Sequence, residues 1–294
     1  MSEAAHGEPE KHEVFERPFK VQPTYETRKT PSNYRRYPDG DKLPSTVKVW
    51  LVGNERKRQR PFGTVSRSWG YDDSPDAEVL TVGYNTGKEN GAVGVGRHGN
   101  FLQWGFGSPP SKMTDAGRHF FLNCIVYITK FDGKAPLIQR KAGHRFQPLR
   151  LAMAMSYIED KKFFSGTFPS DLTKRYGNDW KGLMGHYREN YEYIYRDGPY
   201  RIDEELKALN ILSNREIETL ERLVTILEDK DKPQIARKLL KRYTLESFQS
   251  PDEWRAWLAK HHGRIYFSDV GGYKFRVIPE GYLEEGIEDT SPDK

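Results

Sequence analysis

The stretch Ala92–Phe106, "AVGVGRHGNFLQWGF", decides how the first half of the chain folds. Residues 94–99 have the G-x-G-x-x-G spacing of a dinucleotide-binding turn. In dinucleotide-binding proteins that turn leads into a helix, whose N-terminus holds the pyrophosphate. Here the glycines are followed by "FLQWGF", a run of β-favouring residues. The stretch therefore predicts two strands that turn at Gly99-Asn100 as a β-hairpin, and it predicts no nucleotide cofactor.

Side chains along the second strand of this hairpin alternate between the two faces of the sheet. The alternation places Leu102, Trp104 and Phe106 on one face and Phe101 with Gln103 on the other. We expect the first set to pack against the helix that follows, which makes Trp104 a core residue.

Further strands and one helix are predicted around the hairpin. "TVKVWLVG" (46–53) and "AEVLTVGYN" (77–85) have the residue pattern of strands, and a helix is predicted from Thr114 to Lys130. The predicted inward face of that helix consists of Phe121, Cys124, Ile125 and Ile128. Together these elements predict an N-terminal α/β module with a mixed sheet.

Beyond residue 140 the periodicity becomes helical. Tyr187, Tyr191, Ile194 and Tyr195 fit one face of a helix, and Pro233 suits the first turn of another. Capping boxes are predicted at residues 213–216 and 250–253. "RIYFSDVGGYKFRVI" (264–278) predicts a hairpin that turns at its two glycines. The second half is thus expected to be a mainly helical domain with a terminal β-hairpin.

A chain of 294 residues is long enough for two domains. The expected organisation is a disordered lead-in (1–12), an α/β module (13–140), a helical domain (141–262), a β-hairpin (263–284) and a disordered tail (285–294).

Composition excludes some classes of function. Lys and Arg number 47 against 42 Asp and Glu, a net charge of +5 that is spread along the chain, which argues against nucleic acid as a partner. Cys124 is the only cysteine, so neither an intrachain disulfide nor a multi-cysteine zinc site is expected. No apolar run is long enough to cross a bilayer and no signal peptide is apparent, so we expect a soluble chain without membrane insertion, of unknown compartment.

One family resemblance arises from the hairpin and the helix after it. "VGVGRHGNFLQWGF" (93–106) and "AGRHFFLNCIVYI" (116–128) resemble the closing portion of the class I glutamine-amidotransferase-like fold, in particular its trehalose-utilisation (ThuA-like) branch. The resemblance covers residues 47–133. It implies a partial or divergent bacterial α/β domain that operates in a carbohydrate-related system.

The chain departs from that family at two functional positions. Residues 105–108, "GFGS", stand where ThuA-like domains commonly carry a Gly-His pair, and the amidotransferase nucleophilic cysteine has no counterpart. The second half, "ELKALNILSNREIETLERLVTILEDKDKPQIARKLLKRYT" (205–244), resembles helical segments of large uncharacterised proteins from planctomycete-type bacteria, a likeness that implies no activity.

Three residues are candidates for catalysis. His98 lies in the glycine turn, where an imidazole that titrates near neutral pH would suit acid–base chemistry. Arg97 and an acid from the turn 72–78, taken as Asp73, would complete the site. The alternatives are a turn histidine without a catalytic role and acids that form a solvated turn. Cys124 is interpreted as a packed core cysteine, and no metal site is expected.

A second candidate surface is rich in tyrosine and arginine. The surface consists of Tyr187, Arg188, Tyr191 and Arg196. Its tyrosines could stack on bases or sugar rings while its arginines bind phosphate, and the basic run "RKRQR" (56–60) could add to the binding of nucleic acid. The alternative is an amphipathic helix that buries its tyrosines.

These observations favour a non-catalytic interaction or scaffold module with a protein or carbohydrate partner. A sugar-acting hydrolase- or isomerase-like enzyme that uses His98 is the first alternative. Nucleic-acid binding through the tyrosine- and arginine-rich segment is the second.

Overall fold

A computed structural model describes residues 1–7, 11–54, 63–229 and 233–282. The chain divides into two compact units. The first holds Met1–Asp72, Asp76–Leu137 and Gly281 with Tyr282, and the second holds Asp73–Pro75 and Ile138–Glu280. The basic run 56–60 and the expected tail 285–294 lie outside the described residues. In the described ranges, no helix has the length and apolar character that crossing a membrane requires.

Among its described residues, the first unit contains six strands and one long helix. They are β1 (Ala4–His6), β2 (Tyr25–Lys29), β3 (Thr46–Leu51), β4 (Ala77–Val82), β5 (Val93–His98), β6 (Phe101–Trp104) and α1 (Asp115–Ile128).

These strands form two small sheets, ordered β1-β3-β2 and β4-β5-β6. An antiparallel bridge from Ala5 to Gly83 connects β1 to the second sheet. All strand pairs among the described residues are antiparallel, so the prediction of a mixed sheet is wrong, whereas the coarser prediction of an α/β composition is confirmed. Parallel pairing needs a long crossover connection, whereas β5 and β6 are joined by a tight turn.

The first strand lies in a segment that the sequence predicts to be disordered. Ala4 and Ala5 are fully buried, and β1 pairs with β3 in the register Ala5↔Trp50. Small side chains carry little hydrophobic signal, but they let the strand fit between its neighbours. The expectation of a disordered lead-in over residues 1–12 is therefore wrong for Ala4–His6.

The hairpin predicted from the glycine-rich stretch is present. β5 and β6 pair in the register Val95↔Trp104, and Gly99 turns the chain with φ of 56°. A Cβ at Gly99 would lie 2.5 Å from the carbonyl oxygen of Lys134. Glycine at this position therefore serves a tight, closely packed turn, and the stretch does not run into a helix.

Helix α1 begins at a side-chain cap and packs on the sheets. The Thr114 hydroxyl accepts a hydrogen bond from the backbone N–H of Gly117 at 2.9 Å. A Cβ on Gly117 would lie 1.9 Å from the carbonyl oxygen of Val52, so the helix contacts the chain directly after β3 through this glycine. This contact sets the rotation of α1 about its axis. In this orientation the helix buries the side chains of Ala116, Phe120, Asn123, Cys124 and Tyr127.

The predicted inward face of α1 is therefore only partly correct. Cys124 is buried as expected, but Ile125 is 48% exposed, and Leu122 and Val126 are similarly exposed. The sequence places apolar residues on both sides of the helix, and the contact at Gly117 determines which side is buried.

The second unit contains seven helices and four strands among its described residues. They are α2 (Gln147–Ala154), α3 (Ser170–Tyr176), α4 (Trp180–Glu189), β7 (Ile194–Arg196), β8 (Tyr200–Ile202), α5 (Glu204–Ala208), α6 (Ile217–Ile226), α7 (Pro233–Tyr243), α8 (Pro251–His261), β9 (Ile265–Ser268) and β10 (Lys274–Val277).

The sequence predicts three helix starts in this unit from a proline and two capping boxes, and two of these predictions are confirmed. Pro233 begins α7, and Ser250 and Glu253 form the predicted capping box of α8. The box predicted at residues 213–216 is wrong, because α6 begins at Ile217 without a side-chain cap. The Ser213 hydroxyl instead donates to the Glu192 carboxylate at 2.9 Å.

The predicted tyrosine face is also broken in the structure. Helix α4 ends at Glu189, a 3-10 turn follows over Tyr191–Tyr193, and the chain then enters β7. Ile194 and Tyr195 consequently lie on a strand, and the regular helical spacing does not continue through them.

A buried ion pair links the terminal hairpin to the start of the helices. Arg145 is 1% exposed and Asp269 2% exposed, and the Arg145 guanidinium donates to both carboxylate oxygens of Asp269. It also donates to the Asn214 side chain at 3.1 Å and to the Tyr191 carbonyl at 3.3 Å. The hairpin that the sequence predicts as a separate element is thus integrated in the second unit.

Candidate functional site

Arg97, the first catalytic candidate, is held in the interior of the first unit. It is 5% exposed, and its Nε donates to Glu78 Oε1 at 3.1 Å. Its guanidinium lies 3.7 Å from the centre of the Phe131 ring and donates to the Gly99 carbonyl. These contacts give Arg97 a structural role.

Glu78 has two more hydrogen-bond partners, which the sequence did not predict. The Tyr127 hydroxyl donates to Glu78 Oε2 at 2.7 Å, and His12 Nε2 lies 3.1 Å from the same oxygen. Burial opposes ionisation of Glu78, but hydrogen bonds from His12, Arg97 and Tyr127 outweigh it and lower its pKa to about 2. Glu78 is thus held as a carboxylate and is unsuited to proton transfer near neutral pH.

His12 resembles a catalytic base because it faces a carboxylate, but both of its nitrogens have partners. Nδ1 accepts a hydrogen bond from the backbone N–H of Val14 at 3.2 Å, so Nε2 carries the proton that faces Glu78. A base in a His–carboxylate pair needs its second nitrogen directed at substrate. His12 lies in the segment predicted to be disordered, so only its residue type could have drawn notice.

His98 points away from Arg97 and meets a different acid. Its Nε2 lies 3.3 Å from Oδ1 of Asp76, which is 3% exposed. The other oxygen of Asp76 accepts from the Leu137 N–H and from the Tyr282 hydroxyl, each at 2.9 Å. The buried Asp76 carboxylate therefore contacts three groups, namely the Leu137 N–H, the Tyr282 hydroxyl and the His98 imidazole.

The structure does not bring His98, Arg97 and Asp73 together, so the predicted catalytic combination is wrong. Asp73 belongs to the second unit, where its carboxylate accepts from the Val270 N–H at 3.1 Å. The acids that meet the two candidates come from the predicted turn 72–78, but they are Asp76 and Glu78. Residues 97 and 98 occupy opposite faces of one strand, so they cannot act on the same atom.

Cys124 is not a nucleophile in this structure. It is 1% exposed, and burial raises the pKa of its thiol well above the ordinary value. A thiolate is the reactive form of cysteine, and it is disfavoured here. The sequence-based interpretation of a packed core cysteine is confirmed.

A polar cleft of about 660 Å³ opens in the first unit at the N-terminal end of α1. Eight of its ten lining side chains are polar or charged, and they provide both donors and acceptors. The lining residues are Lys20, Gln22, Thr24, Asn54, Met113, Thr114, Asp115, Ala116, Arg118 and His119.

One wall of this cleft is secured by a buried amide. Asn123 is fully buried, and its Nδ2 donates to the Val14 and Phe19 carbonyls at 2.9 and 2.6 Å. Its Oδ1 accepts from the Phe19 N–H at 3.0 Å. Because Lys20 follows Phe19 directly, this amide determines where the chain enters the cleft.

The first turn of α1 provides further lining residues of the cleft. Arg118 forms an ion pair with Asp115 and donates to the Met113 carbonyl at 3.0 Å. His119 stacks on Phe19 with ring centres 5.1 Å apart, and its Nδ1 lies 3.3 Å from the Lys20 carbonyl. The contacts of His119 thus connect the helix to the entering chain beside the cleft. Sequence analysis missed this site, because its residues lie far apart along the chain.

The tyrosine- and arginine-rich surface does not form as predicted. Tyr187 is fully buried and its hydroxyl donates to the Tyr200 carbonyl at 2.7 Å, so its ring is not available for stacking. Arg188 and Arg196 are exposed, and Tyr191 is partly buried with Arg145 5.8 Å from its ring centre. The alternative, that tyrosines of this segment pack inside, is correct for Tyr187.

Across the described ranges, no group of three or more His, Cys, Asp or Glu side chains is placed to hold a metal ion. No protein-family model, curated protein or solved structure matches the chain. The ThuA-like resemblance therefore remains a prediction that its sequence motifs alone carry.

Proposed function

We propose that this chain is a non-catalytic interaction module whose first unit binds a carbohydrate-type ligand in the cleft beside α1. The observation that carries the proposal is the contrast between the two polar regions of this unit. The groups around Glu78 hydrogen-bond to one another in the interior, whereas the polar side chains of the cleft line an open volume of about 660 Å³. Some of the cleft side chains, among them Asp115, Arg118 and Asn54, also make contacts within the chain.

The side chains of the cleft suit a hydroxylated ligand. Sugar hydroxyls both donate and accept hydrogen bonds, and the amides of Gln22 and Asn54 do the same. Lys20 and Arg118 add charged donors, and Asp115 adds a charged acceptor. A volume of this size is typical of small-molecule sites. The expected carbohydrate context of the ThuA-like resemblance agrees with this ligand class.

A thermal-shift screen tests this proposal. The wild-type chain is heated with neutral, carboxylated and phosphorylated mono- and disaccharides, and a ligand that binds only the folded state raises the melting temperature. We expect at least one sugar to do so, and the double substitution Lys20→Ala with Arg118→Ala to abolish its shift. Lys42→Ala is the matched control, because Lys42 is exposed and does not line the cleft. Failure of every sugar at millimolar concentration would contradict the proposal.

A second function is favoured by the His98–Asp76 pair. The imidazole lies 3.3 Å from a buried carboxylate and its side chain is 21% exposed, an arrangement compatible with a general base. The corresponding enzyme would hydrolyse or isomerise a sugar. Incubating the chain with the same sugars and analysing products by chromatography tests it, and turnover that disappears in His98→Ala would favour the enzyme over the binding module.

A further inference from the structure

Strand β2 forms one edge of its sheet. In the order β1-β3-β2, its only strand neighbour in the described part of the chain is β3. Four of its five residues are exposed. An edge strand of this kind can pair with a further strand through its backbone.

The hydrogen bonds to β3 show which residues of β2 face outward. The Leu51 N–H donates to the Thr24 carbonyl, and the Thr30 N–H donates to the Ser45 carbonyl. In an antiparallel ladder, alternate residues direct their backbone groups to the same side. Even-numbered residues of β2 therefore bond to β3, and the backbone groups of Thr27 are directed to the outer edge.

The sequence of β2, Tyr-Glu-Thr-Arg-Lys, is complementary to itself when two copies run antiparallel. With Thr27 opposite Thr27, Glu26 of each copy faces Arg28 of the other, and Tyr25 faces Lys29. Opposite charges, an aromatic ring with a cation, and paired threonines are all favourable cross-strand neighbours. Parallel pairing in register would instead place Glu26 against Glu26 and Arg28 against Arg28.

We propose that β2 is a homodimerisation edge, at which a second copy of this chain adds its own β2 antiparallel about a two-fold axis at Thr27. Because the backbone groups of Thr27 are directed outward, an axis at this residue makes Thr27 of the two copies a hydrogen-bonded pair across the interface. The resulting interface is isologous and closes on two chains.

Charges around the edge agree with this arrangement. Within one chain, Arg28 already pairs with Glu26, so the dimer would bring two acids and two bases into one neutral group. Lys48 lies 4.1 Å from the Tyr25 ring centre, and the Tyr84 hydroxyl donates to the Lys29 carbonyl at 2.7 Å. The Lys29 carbonyl keeps a second lone pair that can accept a hydrogen bond from the partner strand. Repulsion between the solvent-exposed lysines Lys29 and Lys48 of the two copies is screened by salt.

A five-residue ladder is a small interface, so the dimer is expected to be weak and to depend on concentration. Sedimentation velocity of the full chain from low to high micromolar concentration should show the sedimentation coefficient rising toward that of a dimer. Thr27→Pro removes an outward N–H without removing a bond to β3, so it should leave a folded monomer at every concentration. A wild-type chain that stays monomeric, or a dimer that persists in Thr27→Pro, would overturn the proposal.

Charge substitutions give an independent test if Thr27→Pro does not fold. E26R places like charges opposite each other in a homodimer, and so does R28E, so each variant alone should dimerise at least tenfold more weakly. Mixed together, the two variants have complementary edges and should form a heterodimer. Circular dichroism of each variant checks the fold. Single variants that dimerise as strongly as the wild type, or a mixture that shows no association, would contradict the proposal.

Discussion

Arg97 and His98 are adjacent in β5, and their side chains lie on opposite faces of the sheet, where each meets a different carboxylate. Arg97 pairs with Glu78 on the side that faces α1, and His98 lies 3.3 Å from Asp76 on the other. The G-x-G-x-x-G stretch that suggests a phosphate site in the sequence thus supplies two separate structural contacts. The open polar cleft lies elsewhere in the same unit.

Acid should weaken the first unit through Glu78. Its pKa is lowered from 4.5 to about 2, so the stability it contributes is present above pH 4.5 and is lost as the pH falls toward 2. The shift corresponds to about 3 kcal/mol at most, and because the group is partly exposed to solvent we expect about 1 to 2 kcal/mol. Urea unfolding at several pH values measures the slope. Glu78→Gln should reduce the slope in this window, and an unchanged slope would contradict the assignment.

His6 should respond at higher pH. Its Nε2 lies 2.6 Å from the Tyr34 hydroxyl, which also accepts from the Asn85 N–H, so the imidazole acts as the acceptor. Burial lowers the pKa of His6 from 6.5 to about 4. The folded state therefore loses stability as the pH falls from 6.5 to 4, by an amount on the order of 2 to 3 kcal/mol.

The same unfolding series tests the contribution of His6. His6→Gln cannot be protonated, so its stability should change less than that of the wild type between pH 6.5 and 4. Parallel curves for the two chains would show that His6 is not the titrating group.

Trp104 should be important for the stability of the first unit. It contacts Phe120 and Phe121 of α1, with ring centres 5.5 and 4.9 Å away. Replacing it with alanine leaves a large cavity and should cost about 3 kcal/mol. Phe101→Ala is the matched control, because Phe101 is 64% exposed on the same strand. Equal melting temperatures for the two variants would contradict the packing described here.

The buried Arg145–Asp269 pair should stabilise the second unit strongly. Arg145→Ala leaves the Asp269 carboxylate buried without its cation and should cost about 3 to 5 kcal/mol. Arg215→Ala breaks an ion pair with Glu192 at a residue whose side chain is 43% exposed, and should cost less than about 1 kcal/mol. Chemical denaturation of both variants provides the comparison, and similar losses would show that burial of the pair does not matter.

Local patterns predicted the elements whose signals lie close together in sequence. The turn at Gly99, the alternation along β6 and the capping box at Ser250 all depend on a few neighbouring residues, and all are present. Trp104 packs against the core of the first unit as expected, but it is only partly buried. The rotation of α1 was not predictable, because it depends on the close approach of Gly117 to Val52, which are distant along the chain.

The candidate site was less predictable than the fold. His98 and Arg97 were recognised by residue type and position, but their partners depend on strand register and face. The cleft gathers residues from three separate segments, around Lys20, Asn54 and Arg118, which none of the sequence motifs connects. The strand β1 was missed because its small residues gain their burial from the pairing with β3 and from the bridge to Gly83, which are both distant along the chain.

The central claim is that the cleft binds a ligand without transforming it. Isothermal titration calorimetry with the sugar that gives the largest thermal shift, followed by chromatography of the recovered sugar, tests it most directly. We predict saturable binding by the wild type and by His98→Ala, affinity reduced about tenfold or more in the Lys20→Ala/Arg118→Ala double variant through loss of charged hydrogen bonds, and sugar recovered intact. Binding that survives the double variant but is lost in His98→Ala, or a chemically altered sugar, would contradict the account.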